Sequence, residues 1–484
     1  MTNKGGKSRI IIGIIVIILM ALVVGSIIYA QGKEKYNNLG IEEYQKGNYN
    51  KAISYFNKAI ELNPNNAFAY NNRGLAHSEL KEYDKAISDY NKAIALKPDY
   101  AIAYFNRGLS YFATGSYYNS KPFESAVSDF SKAIELKPDY VDAYYNRGLA
   151  YCQFFHYYMK LPSSAFPRGI EDKYNKALAD FDKVLGLDPL YVLAYAGKGN
   201  AYYRYGDSYE EMKRAIAEYD KALKSESLIV QRVGNKGLAG VYASRARAYL
   251  YMEEQDKATS DYLKAMELYP ELMTAVGHQA FVYLDLRQYD KALELSKKYV
   301  DLTEAEGDAE GYYAYVCRGM CYYSLKEYDK AIPDFKKVID DYESHFEAEA
   351  HRYLGMIYSK KGDEKRAKEY FEKAIELCTK QIDRGGITIP GAYYERGLSY
   401  MGLKEYDRAI SDFKKVIELK TMSDREFGHM NHYNEAHRSL GVVYSQINET
   451  EKAREYFEMA IELYKKPGGA KHKVEEVEEL LNKL

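Results

Sequence analysis

Small, large and aromatic residues recur at fixed offsets along most of this chain, and the same phrase returns with them. AYNNRGLAHSELKEYDKAISDYNKAIALKPDY runs from Ala69 to Tyr100, AYFNRGLSY opens at Ala103, AYYNRGLAY at Ala143, and AYYERGLSYMGLKEYDRAISDFKKVIELK spans Ala392 to Lys420. A period of about 34 residues predicts stacked supersecondary units, because one such unit cannot bury its apolar face alone. Pro64, Pro98, Pro138, Pro189 and Pro270 end the second predicted helix of their units, since proline cannot continue a helix. With repeats present, dividing the 484 residues by a typical domain length says nothing about domain count.

Aligned on that period, a small residue holds repeat position 8 throughout: Gly40, Gly74, Gly108, Gly148, Gly199, Ala246, Ala280, Gly319, Gly355, Gly397 and Gly441. Alanine holds position 20 from Ala52 and Ala86 to Ala409 and Ala453. Small residues there let two helices approach, while large apolar residues at positions 4, 11 and 24 fill the space around them. This pattern resembles the tetratricopeptide repeat. The resemblance covers residues 33–467 as 33–66, 67–100, 101–140, 141–191, 192–229, 239–272, 273–306, 312–345, 348–381, 390–423 and 434–467. It implies an all-α fold, a right-handed superhelical solenoid of about eleven helical hairpins. Stacked repeats need capped ends. After Pro467-Gly468-Gly469, residues 470–484 form a predicted capping helix with Val474, Val477, Leu481 and Leu484 on one stripe.

Comparison among the repeats adds a charge rule. Where position 7 is cationic, position 23 is acidic: Arg73 with Asp89, Arg107 with Asp129, Arg147 with Asp180, Lys198 with Glu218, Arg245 with Asp261, Arg318 with Asp334, and Arg396 with Asp412. Where position 7 is Leu39, Leu354 or Leu440, position 23 is Tyr55, Tyr370 or Tyr456; repeat seven has Gln279 and Leu295. Such co-variation predicts contact, here a structural ion pair between the two helices of a hairpin.

Ahead of the repeats, Ile10–Ala30 is an uncharged run of 21 residues. As a helix it would be about 31 Å long, matching a hydrocarbon core of about 30 Å. It is too long for the apolar stretch of a cleaved signal peptide and lacks the small-x-small site. The expectation is one transmembrane anchor at residues 10–30 after a basic tail at 1–9. Lys4, Lys7 and Arg9 place the N-terminus in the cytoplasm and the repeats outside it. Gly5–Ser8 imitates the end of a phosphate loop, but Met1 stands where the first glycine belongs. A net charge of -2 gives no electrostatic case for nucleic acid. Cys317 and Cys321, four apart on a predicted helix, read as buried small residues rather than a disulfide.

The resemblance also implies a concave groove lined by the first helix of each hairpin. Its candidate partner-binding residues are Phe68, Asn71, Phe105, Phe112, Tyr145, Tyr203, Arg247, Tyr313, Tyr323, Arg352, Met356, Tyr394 and Arg438. Aromatic and arginine anchors are typical of interface hot spots. A carboxylate clamp of the kind some relatives carry is not expected: Asn37, Ile41, Asn72, Ile102 and Asn106 hold its positions, and only Asn72 matches. Repeats three, four and five carry extra residues in one turn, the largest beginning at Phe154, Phe155, Tyr157 and Tyr158, which are further contact candidates. His429 and His432 lack acidic or cysteine ligands at zinc-site spacing, so no metal is expected. No cofactor or catalytic motif is expected either. The function expected is a membrane-anchored scaffold that binds other proteins. The alternatives are a receptor for a cell-wall glycan and a packing subunit of a larger membrane complex.

Overall fold

A computed structural model describes residues 34–115, 119–159, 170–206, 208–306, 311–341, 346–385, 389–419, 432–466 and 470–484. The basic tail and the expected anchor at 10–30 lie outside these. No described helix is long and apolar enough to cross a membrane. The described residues form an all-α array of repeated hairpins with no strand among them. They fall into two compact units, the described residues up to 157 with 182–187, and the described residues of 158–181 with those of 188–484.

In the first unit, helical residues 34–45 precede Tyr49–Leu62. Ala67–Glu79 pairs with Tyr83–Leu96, and Ala101–Thr114 pairs with Lys121–Leu136. In the second unit the pairs include Leu193–Tyr205 with Tyr209–Leu223, Tyr312–Ser324 with Tyr328–Asp341, and Glu347–Lys360 with Glu364–Arg384. Ile389–Gly402 pairs with Tyr406–Leu419, and His432–Gln446 with Thr450–Lys465.

The glycine at position 8 has a steric cause. A Cβ on Gly74 would sit 2.7 Å from the Tyr90 ring, and on Gly108 it would sit 2.7 Å from the Phe130 ring. The position-24 aromatic therefore lies flat against the bare backbone of the facing helix, and Tyr90, Phe130, Tyr219, Phe335 and Phe413 are fully buried. Repeat seven relieves the clash differently. It has Ala280 at position 8 and the small Ser296 at position 24, and its ring comes instead from Tyr299, 2.7 Å from where a Cβ on Gly277 would be.

The turn between the two helices follows a second rule. Position 15 is left-handed in every described repeat without an insertion: Gly47, Lys81, Glu253, Arg287, Lys326, Gly362, Lys404 and Asn448. That residue ends the first helix and directs the chain back at once. Repeats three and five instead leave the first helix through Gly115 (φ -67°, ψ 143°) and Gly206 (φ -69°, ψ 131°), in extended conformation. Their extra residues thus replace a left-handed turn. In repeat four the first helix, Val141–Met159, runs to 19 residues.

Residues 230–238, between repeats five and six, are helical within Glu226–Tyr251, and only Gly234 (φ 68°, ψ -177°) breaks the run. Glycine tolerates that backbone, so the two helices meet end to end through a kink. Beyond the last hairpin, Val474–Asn482 is helical, with Val477 fully buried against Phe457, Ile461 and Tyr464, and Val474, Leu481 and Leu484 packed beside it. Cys317 and Cys321 are free thiols, fully buried.

Candidate functional site

Four of the position-7 arginines, Arg73, Arg107, Arg245 and Arg396, act as three-point staples. Arg73 donates from Nε to Asp89 (2.8 Å) and from Nη2 to the other carboxylate oxygen (2.5 Å). Its remaining Nη1 donates to Asn57 on the preceding hairpin (2.7 Å). Arg107 repeats this with Asp129 (2.7 and 2.6 Å) and Asn91 (2.6 Å), and Arg245 with Asp261 (2.7 and 2.7 Å) and Asp220 (2.7 Å). Arg396 uses Asp412 (2.8 and 2.8 Å) and Thr379 (3.0 Å). Arg318 holds Asp334 at 3.0 and 2.7 Å. The position-4 tyrosine covers the guanidinium, at 5.4 Å for Tyr70, 5.5 Å for Tyr104 and 5.2 Å for Tyr393. Burial pushes the Asp129, Asp261 and Asp334 carboxyls up, and the facing guanidinium pulls them back.

The fork geometry explains why lysine serves poorly here. Lys198 lies 4.0 Å from Glu218, and Lys221 is nearer, at 2.8 Å. That expected pair is therefore not a close one. Arg147 donates to Ser131 (3.1 Å). Sequence comparison missed the third contact. The signal was the run of polar residues at position 25, Asn57, Asn91, Ser131 and Asp220, each preceding a repeat with arginine at position 7.

A second set of contacts joins position 5 of one repeat to position 6 of the next. In the first unit Asn72 donates to Asn37 (3.2 Å), and Asn106 donates to Asn71 (3.0 Å). Asn71 is thus buried, at 2 % exposure, and does not face a partner as expected. Phe105 is half-buried, 4.9 Å from Tyr140 and 5.7 Å from Phe130. Phe112 is half-buried beside Phe123 (5.6 Å), and Tyr145 is half-buried too. Phe68 and Ile102 differ. They hold position 2 on successive first helices and stay 49 % and 46 % exposed. Tyr100 meets the edge of the Phe68 ring at 5.2 Å, and the Lys97 ammonium lies 5.0 Å above it.

In the second unit the same junction is charged. Arg352 donates from Nε to Glu395 of the next repeat (2.5 Å) and from Nη2 to Glu349 (3.5 Å), with 6 % of the residue exposed. Burial and the charge of Glu395 push the Glu349 carboxyl up, against the pull of Arg352. Tyr394 is buried at 7 %, against Phe413 of its own hairpin (5.7 Å) and Ser439 of the next (3.5 Å). Arg352 and Tyr394, expected in the groove, are therefore packing residues: each fills the joint between neighbouring repeats. Met356 is half-buried with its sulfur 3.2 Å from Arg352, and Arg247 lies over Tyr203 at 5.2 Å. Tyr313 packs on Phe346 (5.1 Å), and Tyr323 on Tyr353 (5.3 Å). Arg438 donates to Glu476 of the last helix (2.8 Å).

Phe154, Phe155, Tyr157 and Tyr158 belong to the last part of the helix ending at Met159, and residues 160–169 lie outside the described residues, as does His429. Among the described residues no group of three or more His, Cys, Asp or Glu gathers as a metal ion would need.

Hairpins of this length, closed by small residues at positions 8 and 20 and stapled one to the next, define a helical-repeat protein of the protein-binding class. Tetratricopeptide-repeat models match residues 40–81, 79–115, 116–153, 239–272, 312–380, 390–420 and 436–471, and the chain belongs to that family. It is 30% identical over 117 residues to the anaphase-promoting complex subunit CDC16 of Saccharomyces cerevisiae, covering 24% of this chain and 12% of that protein. It is 27% identical over 135 residues to the human mitochondrial import receptor subunit TOM70, covering 27% of this chain and 21% of that one. The chain thus matches only 12% to 21% of the length of these relatives. Among solved structures, yeast Tom70 aligns with 93% of the chain at 15% identity and a TM-score of 0.43, and human IFIT1 with 89% at 16% and 0.46.

Proposed function

We propose that this protein is a membrane-tethered, non-catalytic scaffold that binds an apolar segment of another protein on the first helices of its early repeats. The observation that carries this is the pair Phe68 and Ile102, large apolar side chains left exposed at the same position of successive hairpins. An exposed apolar stripe on a rigid surface is the usual mark of an interaction site. Phe68 already has an aromatic neighbour and a lysine over its face, so an arriving side chain meets an ordered platform rather than a mobile ring. Family membership supports protein binding in general; it names no partner. The tether is the uncharged run Ile10–Ala30, and the repeats lie outside the cytoplasm on the strength of the cations before it.

A photo-crosslinking residue at position 68 or 102, in protein kept in its membrane, tests the reading. A polypeptide adduct lost on Phe68→Asp with Ile102→Asp is expected. Adducts with glycan alone, or none, would sink it. Protease added to intact cells should remove the repeats; their protection reverses the orientation.

A further inference from the structure

The last helix does more than cap the last hairpin. Its apolar face, around Val477, packs on Thr450–Lys465 and so ends the stack. Its polar start reaches elsewhere. His472 and Lys473 lie 2.8 and 3.1 Å from the two oxygens of Asp285, and Glu476 lies 2.6 Å from Arg287. Gln255 and His472 are 3.3 Å apart although 217 residues separate them in sequence. Asp285 and Arg287 belong to the turn of repeat seven, and Gln255 follows the turn of repeat six. On the opposite side Lys473 also meets Glu435 (3.1 Å) and Glu476 meets Arg438 (2.8 Å), both on the first helix of the last hairpin. Two residues, Lys473 and Glu476, therefore hold both ends of the span.

We infer that residues 471–476 form a latch, closing the stack of repeats six to eleven on itself by tying the last hairpin to the turns of repeats six and seven. Capping does not require this, since the apolar half alone covers the exposed hairpin. The latch is also of a strength that can open. Its partners on repeat seven are partly solvated, with side-chain exposures of 20% for Asp285 and 60% for Arg287, and ion pairs reached by water are readily exchanged for hydration. The groups facing one another there are Glu253, Gln255, Asp285 and Arg287 from the two turns, and His472, Lys473 and Glu476 from the latch. The latch itself needs no partner to exist.

Hydrogen exchange on the full chain, with no ligand added, tests it. Asp285→Lys should lower protection of residues 471–482 by tenfold or more while residues 312–419 keep theirs. Adding His472→Glu, which faces the new lysine with a carboxylate, should restore most of it. Unchanged protection after Asp285→Lys overturns the latch, as does a loss that His472→Glu fails to recover. Because no partner is present, failure here leaves the scaffold reading standing, and failure of crosslinking at Phe68 leaves the latch standing.

Discussion

Hairpins three and nine share a backbone plan and place their charge differently. In hairpin three, Arg107 binds Asp129 across its own two helices, with a third bond to the preceding hairpin. In hairpin nine, Leu354 and Tyr370 replace that pair, and the arginine moves to position 5, where Arg352 reaches Glu395 of the next repeat. Hairpin eleven copies nine, with Leu440, Tyr456, Arg438 and Glu476. The preceding repeats in both cases offer Lys336 and Lys414 at position 25, where an arginine at position 7 would need an acceptor. A repeat can therefore be stapled backward or forward, and in hairpin nine the forward arginine is the more buried.

The largest effect should come from that forward joint. Arg352→Ala leaves Glu349 and Glu395 buried without a counter-charge, at a cost of about 3–5 kcal/mol. Replacing all three by leucine should recover most of it. Because a long repeat array need not unfold in one step, the reading should come from hydrogen exchange of residues 347–419 rather than a single melting curve. Arg107→Leu should cost less, about 2–3 kcal/mol, for its guanidinium is partly solvated while Asp129 is not. Arg107→Leu with Asp129→Tyr should cost less than the single change; equal losses would remove the interhelical-pair interpretation.

A pH dependence should also appear in the second unit. Burial, then Asp285, push the Glu253 carboxyl up to about 7, from an ordinary value near 4.5. The folded state thus binds a proton that the unfolded state releases, so this group's contribution is full below about 4.5 and is lost as pH rises towards 7. Glu253→Gln should flatten the exchange of residues 239–272 across that window, and an unaltered slope would assign the dependence elsewhere. Smallest is Lys81→Gly in the first unit. Its left-handed backbone (φ 60°) suits glycine, so stability should rise by about 0.5–1 kcal/mol, read in denaturant.

Much of this was legible in the chain. Position 7 with position 23 could be paired because both residues change together from repeat to repeat, and the Arg–Asp geometries have that spacing. The stripe Val474, Val477, Leu481 and Leu484 could be read because helical period and a preceding breaker suffice. The groove residues could not be sorted in the same way. Asn71, Arg352 and Tyr394 sit on the first helix of their repeats, as the exposed Phe68 does, yet they are buried because the next repeat supplies Asn106, Glu395 and Ser439. Position within one repeat says which way a side chain points, not what the neighbour places in front of it.

Local period, small residues at the helix contact and proline stops are one-dimensional quantities, and with them the sequence determined the helices, their pairing and the family. Contacts between distant repeats depend on how small rotations add along the stack, and no single repeat encodes that sum. Only the tertiary structure could therefore bring His472 to Asp285, or show that the last helix, read as a cap, also reaches back to the turns of repeats six and seven.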